Sequence, residues 1–218
     1  MNYLESIKGK EQVKLPAEKM ESTCEFYRGR IKHYGYSIDE NNEQAVKRAC
    51  QFLAIWHHWA KGECSKPKKG LFFYGGVGTG KTMLTKIIQK LTPRMIQKEG
   101  SIPLNLKFDF LNAIDADEKF AELGLKDFNN AYAHFFDCHL IFDDIGSEKN
   151  LKNYGPDGII ASILDKRFKA FSDVGALTVA TANISSLNDI SEAYGARLLD
   201  RIGNMCLMIE IKGKSRRK

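Results

Sequence analysis

Eight consecutive residues, Gly75-Gly76-Val77-Gly78-Thr79-Gly80-Lys81-Thr82, constrain this chain more than any others. They fit the spacing G-x-x-x-x-G-K-[ST], in which a loop wraps its backbone amides around an anion. Glycines are required because N–H groups must turn inward onto phosphate oxygens, where a Cβ would obstruct them. The flanks suit the same purpose. Residues 71–74 (Leu-Phe-Phe-Tyr) read as a short buried strand, and residues 83–91 read as a helix. The free N–H groups and positive dipole end of that helix would face the same anion. Lys81 is then placed to reach the β- and γ-phosphates, and the Thr82 hydroxyl to ligate Mg²⁺. Residues Gly75 through Met83 are the expected nucleotide-binding segment. A Gly-rich turn ahead of an ordinary helix would spell the same letters, but the strand before and the helix after favour a nucleotide.

A second motif lies downstream. His139-Leu140-Ile141-Phe142-Asp143-Asp144 reads as a buried strand ending in two carboxylates. A P-loop enzyme needs such a strand beside its loop. Asp143 could hold Mg²⁺ through the ion's water shell, and Asp144 could orient or deprotonate an attacking water. Taken alone, the pair could be a strand-end turn. A further strand near 177–181 ends at Ala182-Asn183. Asn183 at that tip could hydrogen-bond the lytic water or the γ-phosphate, or could cap a turn.

The chain has 218 residues, a net charge of +6 and 43% hydrophobic residues. That suits one α/β domain with a short appendage. No apolar run of about 18 residues occurs, so no membrane span is expected. The first residues lack a signal-peptide stretch, and a cytoplasmic location is expected. Five cysteines, scattered and without a C-x-x-C pair, suit reduced thiols rather than a disulfide framework. His57, His58 and Cys64 lack a fourth ligand, and adjacent helical histidines point different ways. The basic balance suits contact with nucleic acid and equally a solvated surface.

Residues 1–40 read as an N-terminal helical arm, a candidate partner-binding segment, and 41–218 as the P-loop domain. The arm interleaves Lys8, Lys10, Lys14, Lys19, Arg28, Arg30 and Lys32 with Phe26, Tyr27, Ile31, Tyr34 and Tyr36. Such interleaving can bind single strands; a helix from Pro16 to about His33 that packs on the domain or a partner is the plainer reading. Asn41 or Asn42 could cap a helix whose Val46, Ala49, Cys50, Leu53, Trp56 and Ala60 share one face. Later segments read as a half-buried strand at 104–110, helices at 115–123 and 125–136 parted by Gly124, a helix at 156–171, a helix at 193–201 and a strand at 204–211. Together these predict a five-stranded, mainly parallel sheet with helices on both faces. Lys66, Lys68, Lys69 and Arg216 are candidate phosphate contacts for DNA.

The motifs in this order resemble the AAA+ ATPases, specifically the DnaC-like helicase loaders and the similar IstB-like transposition ATPases. The resemblance covers about residues 42–217. It rests on Gly75 to Thr82 (Walker A), Leu140-Ile141-Phe142-Asp143-Asp144-Ile145-Gly146 (Walker B), Thr181-Ala182-Asn183 (sensor 1), Tyr194-Gly195-Ala196-Arg197-Leu198-Leu199-Asp200-Arg201, and Gly213-x-Ser215-x-Arg217 (sensor 2). It implies an Mg²⁺-dependent ATPase, slow as a monomer, that forms an ATP-dependent homo-oligomer on single-stranded DNA. A replicative helicase or a transposase would be its partner. It also implies an arginine finger acting in trans, with Arg201 matching that position best and Arg197 second, and Arg217 acting in cis. Such an arginine can raise phosphoryl transfer about 10³–10⁵-fold. Three departures stand out. Asp144 replaces the Glu of many members, the chain ends soon after the fifth strand without the usual helical lid, and the arm does not match the loaders' helicase-binding domain. Two other readings share the P-loop: an ATP-dependent DNA- or protein-binding module with little hydrolysis, and a nucleotide or small-molecule kinase.

Overall fold

A computed structural model describes residues 13–92, 95–96, 104–147 and 158–216. Hydrophobic alternation decides the layers. In β1 (Gly70–Tyr74), Leu71 and Phe73 face one core while Phe72 faces the other. Period-two side-chain direction makes a sheet buried on both faces, as a parallel sheet with helical crossovers must be.

The helical arm α1 (Ala17–His33) leads to α2 (Glu43–Ala60), β1 and α3 (Lys81–Leu91). A two-stranded antiparallel pair follows, β2 (Met95–Ile96) with β3 (Leu104–Asn105). Then come β4 (Phe108–Asn112), α4 (Ala113–Ala131), α5 (His134–Asp137) and β5 (His139–Ile145). The chain closes with α6 (Ile159–Val174), β6 (Thr178–Ala182), α7 (Leu187–Tyr194), α8 (Ala196–Met205) and β7 (Cys206–Glu210). The main sheet has the order β4-β5-β6-β1-β7, and every pairing in it is parallel. The expected five-stranded architecture is therefore present.

Two local expectations change. The segment 104–110 is not one strand: 104–105 belong to the small antiparallel pair, and β4 begins at Phe108 as an edge of the main sheet. Near the C-terminus two helices replace one, because Gly195 at φ 88° interrupts the α-helical path. A reciprocal Ser186–Asp189 box caps the first of the two, α7. Gly124 parts α4 as expected, by a non-helical φ of 70° and ψ of 171°. The expected start of α6 at Pro156 lies outside the described residues.

The arm is packed onto the domain. Tyr27, Ile31 and Tyr36 are buried in the core that α2, α3 and one sheet face share. All six apolar positions expected on the inner face of α2 are buried. On the opposite face a guanidinium does unusual work. Arg167 of α6 is 0% exposed, and its fork donates to the carbonyls of Phe135, Phe136, Cys138 and Leu177 and to the Thr178 hydroxyl. It ties α6 to the entries of β5 and β6, at the end of the sheet away from the P-loop.

Candidate nucleotide site

The site forms where β1, β5 and β6 end. The glycines of the loop are there because backbone comes close. Gly75 has φ 143°, and a Cβ on it would stand 2.1 Å from the Ile211 carbonyl oxygen. Gly80 has φ 99° and starts α3 in the left-handed region, beneath the ring of Tyr36. A side chain at either position would be strained or would collide.

Lys81 is buried, and its Nζ donates to the carbonyls of Gly75 at 2.7 Å and Gly76 at 2.8 Å. The ammonium thus sits inside the curve of the loop. The Thr79 hydroxyl donates to Gly76 O at 3.0 Å and stiffens the same turn. Gly78, Gly80, Lys81 and Thr82 line a cleft of about 500 Å³ whose wall also includes Asp144 and Asn183. The sequence segments 75–82, 139–144 and 181–183 therefore converge on one cavity.

The two carboxylates differ. Asp143 is 2% exposed, and burial is the main influence raising its pKa, against the Thr181 and Thr82 hydroxyls that stabilise the charged form. Asp144 is half-buried and holds φ 68°, the one non-glycine with positive φ among the described residues. A bulge between Phe142 and Ile145 accommodates it. Local backbone strain of this kind is retained where surroundings hold it. Here the Asp144 N–H donates to the Thr181 hydroxyl at 2.8 Å, and Asn183 Nδ2 donates to the Asp144 carboxylate and to Ser147 Oγ.

The far end of the cleft was not expected from sequence. Tyr34 lines it, with the Arg30 guanidinium 5.6 Å and the Lys90 ammonium 5.5 Å from its ring centroid. Met83, Lys86 and Lys90 share one face of α3 along the same wall. The aromatic and basic residues of the arm carried the signal, but nothing local shows that the arm folds back to the loop. The C-terminal segment returns as well. Arg216 N donates to Gly78 O at 2.9 Å, and its guanidinium donates to Ser37 O and to Asp39 at 2.6 Å. Arg217, the expected cis arginine, lies outside the described residues, as do Lys8 and Lys10.

Arg197 and Arg201 are not among the residues that line the cleft. Arg197 is exposed at the start of α8, whereas Arg201 is ion-paired with Asp165 and lies 5.4 Å from the Phe168 ring centroid. Two of the lysines considered for DNA are committed internally. Lys66 Nζ donates to Gly175 O at the end of α6, and Lys69 Nζ to Gly203 O at 2.6 Å in the last turns of α8. Both cations satisfy carbonyls at the negative ends of helices. Lys68 is exposed.

No family model matches the chain, and no curated protein does. Solved structures do. The chain aligns with the crystal structure of DnaI at TM-score 0.57 and 20% identity, covering 91% of this chain and 95% of that one. The DnaC helicase loader aligns at TM-score 0.54 and 16% identity, over 90% and 100% of the two chains. A replication initiator DnaA, solved with AMPPCP and single-stranded DNA, aligns at TM-score 0.56 and 17% identity over 83% of this chain and 49% of that one. At these identities the likeness is one of fold: this chain shares the parallel-sheet α/β core of the DnaI, DnaC and DnaA structures. Among the described residues no helix is long and apolar enough to cross a membrane.

Proposed function

We propose that this chain is an Mg²⁺-dependent ATPase that assembles on single-stranded DNA and acts in DNA replication as a helicase loader, or in a related mobile-element process. The observation that carries this reading is the convergence of Lys81, Thr82, Asp144 and Asn183 on one cleft, with Asp143 buried behind them. In this reading Lys81 leaves the loop carbonyls for the β- and γ-phosphates, and the amides of residues 75–83 hold the remaining oxygens. The Thr82 hydroxyl and the Asp143 carboxylate are hard oxygen donors set side by side, which suits Mg²⁺. Thr82 and Asp143 would hold the ion, and the chemistry it would supply there is neutralisation of charge on the phosphate oxygens. Asp144 accepts a proton from, or orients, the attacking water, and Asn183 holds Asp144 in place. Tyr34 offers a ring face to the base at the far end of the cleft.

The pairing of Arg201 with Asp165 reorders the two candidates for an intersubunit arginine. Arg197 is open to solvent and can reach a neighbour without breaking a contact; Arg201 would first have to leave Asp165. Sedimentation with a non-hydrolysable ATP analogue and single-stranded DNA tests this. The parent is expected to assemble, and R197A to assemble or turn over at least about tenfold less well than R201A. Parent protein that stays monomeric under every condition would contradict the assembly reading, and an R201A defect alone would return the role to Arg201.

A second reading keeps nucleotide binding without much turnover. It is favoured by Asp144, whose carboxylate is one methylene shorter than Glu and is already engaged by Asn183. Turnover that stays negligible with single-stranded DNA added would select it.

A further inference from the structure

We infer that Thr181 is a positioning residue for both acids of the site, setting Asp143 for the metal and Asp144 for the water through one hydroxyl. The inference rests on the nucleotide-site reading above. Thr181 is 0% exposed and sits on β6, next to β5 in the sheet. Its hydroxyl donates to Asp143 Oδ1 at 2.6 Å and accepts the Asp144 N–H at 2.8 Å. A hydroxyl has one proton to give and lone pairs to receive, so a single Thr can serve both acids at once.

Each bond has a separate consequence. The donated proton fixes one oxygen of a buried carboxylate that is also hydrogen-bonded to the Thr82 side chain. The accepted bond satisfies the amide of the residue with φ 68°, where the strand bulges and pairing with β6 lapses between Phe142 and Ile145. Without it that N–H loses the partner this strained turn gives it, and the Asp144 side chain loses the fixed backbone from which it reaches Asn183. Among the described residues Thr181 bonds to both acids, whereas Asn183 bonds to Asp144. Asn183 holds the Asp144 carboxylate, but from two residues further along, where β6 has ended. Thr181 is thus the joint between the metal-side and water-side halves of the site.

Three substitutions test this. T181V keeps shape and removes the hydroxyl, T181S keeps the hydroxyl and removes a methyl, and K81A reports on the nucleotide site itself. Triphosphate affinity is measured with Mg²⁺ and with EDTA, alongside ATP turnover and thermal midpoint. T181V is expected to bind triphosphate in EDTA within about twofold of the parent, to lose most of the Mg²⁺-dependent gain in affinity, and to turn over about 30-fold or more slowly. T181S is expected to restore both within about threefold. Should T181V not fold, T181C offers similar volume with a weak donor and is expected to fall between T181S and the loss predicted for T181V. The inference is overturned if T181V, or T181C in its place, keeps the Mg²⁺ gain and turnover, or if T181S is as impaired as the variant without the hydroxyl. If K81A binds triphosphate like the parent, the nucleotide-site reading itself has failed, and this inference falls with it.

Discussion

His139 shows how a single residue ties acidity to folding. Its ring is packed edge-on against Trp56 at 4.8 Å between centroids, and its Nδ1 accepts the Leu177 N–H at 3.0 Å. Burial, with Lys66 and Arg167 nearby adding repulsion, pushes its pKa down to about 3. The folded protein therefore keeps it neutral where an unfolded chain would protonate it, near 6.5. Because the folded value is the lower one, its share of stability is present above pH 6.5 and is lost as pH falls from there towards 3. By pH 5 the loss amounts to about 2 kcal/mol from this group. Thermal midpoints of the parent are expected to fall over that range, and those of H139N to fall less, since Asn can accept the same N–H without titrating. Parallel curves for the two proteins would refute the assignment. Arg167 carries charge into the same region: burial lowers its pKa only to about 10, so its four carbonyl partners are bound by a cation at neutral pH.

At the scale of elements, the P-loop is flanked by the turn after α1 and the segment after β7. The turn after α1 supplies Tyr34 and Tyr36, and the segment after β7 supplies Ser215 and Arg216. The Arg216–Asp39 pair joins these two segments directly, at 2.6 Å. It is partly exposed, so solvent screens it and its contribution to stability is small. D39N is therefore expected to leave the fold intact while amides of residues 34–42 exchange hydrogen about three- to fivefold faster. Unchanged exchange there would show that burial of Tyr27, Ile31 and Tyr36 alone holds the arm. The elements around the loop were legible because each follows local rules: an apolar run for β1, helical periodicity for α2 and α3, and a glycine at the break in α4. The arm's docking was not. Tyr34 and Tyr36 look the same in sequence whether they stack on a ligand, a partner or the chain's own loop. Likewise Lys66 and Lys69 read as surface charge until α6 and α8 place carbonyls against them.

Across the whole molecule, the order of motifs predicted which strand ends meet, since a parallel sheet brings the ends of β1, β5 and β6 to one edge. That Asp143, Asp144 and Asn183 lie at that edge was legible in the sequence for the same reason. Thr181 was visible only as part of a strand-tip motif, because its value lies in a bond across β5 and β6 that no spacing encodes. No spacing encodes the Arg201 ion pair either, because its partner, Asp165, comes from another helix. Beneath all of this lies one claim, that a magnesium-bound triphosphate occupies the cleft around Lys81. Calorimetric titration of ATP with Mg²⁺ into the parent and into K81A tests it most directly. Saturable binding at a single site, weakened about 100-fold or more in K81A, is the predicted result; equal affinity in the two proteins, or no heat of binding in the parent, would contradict it.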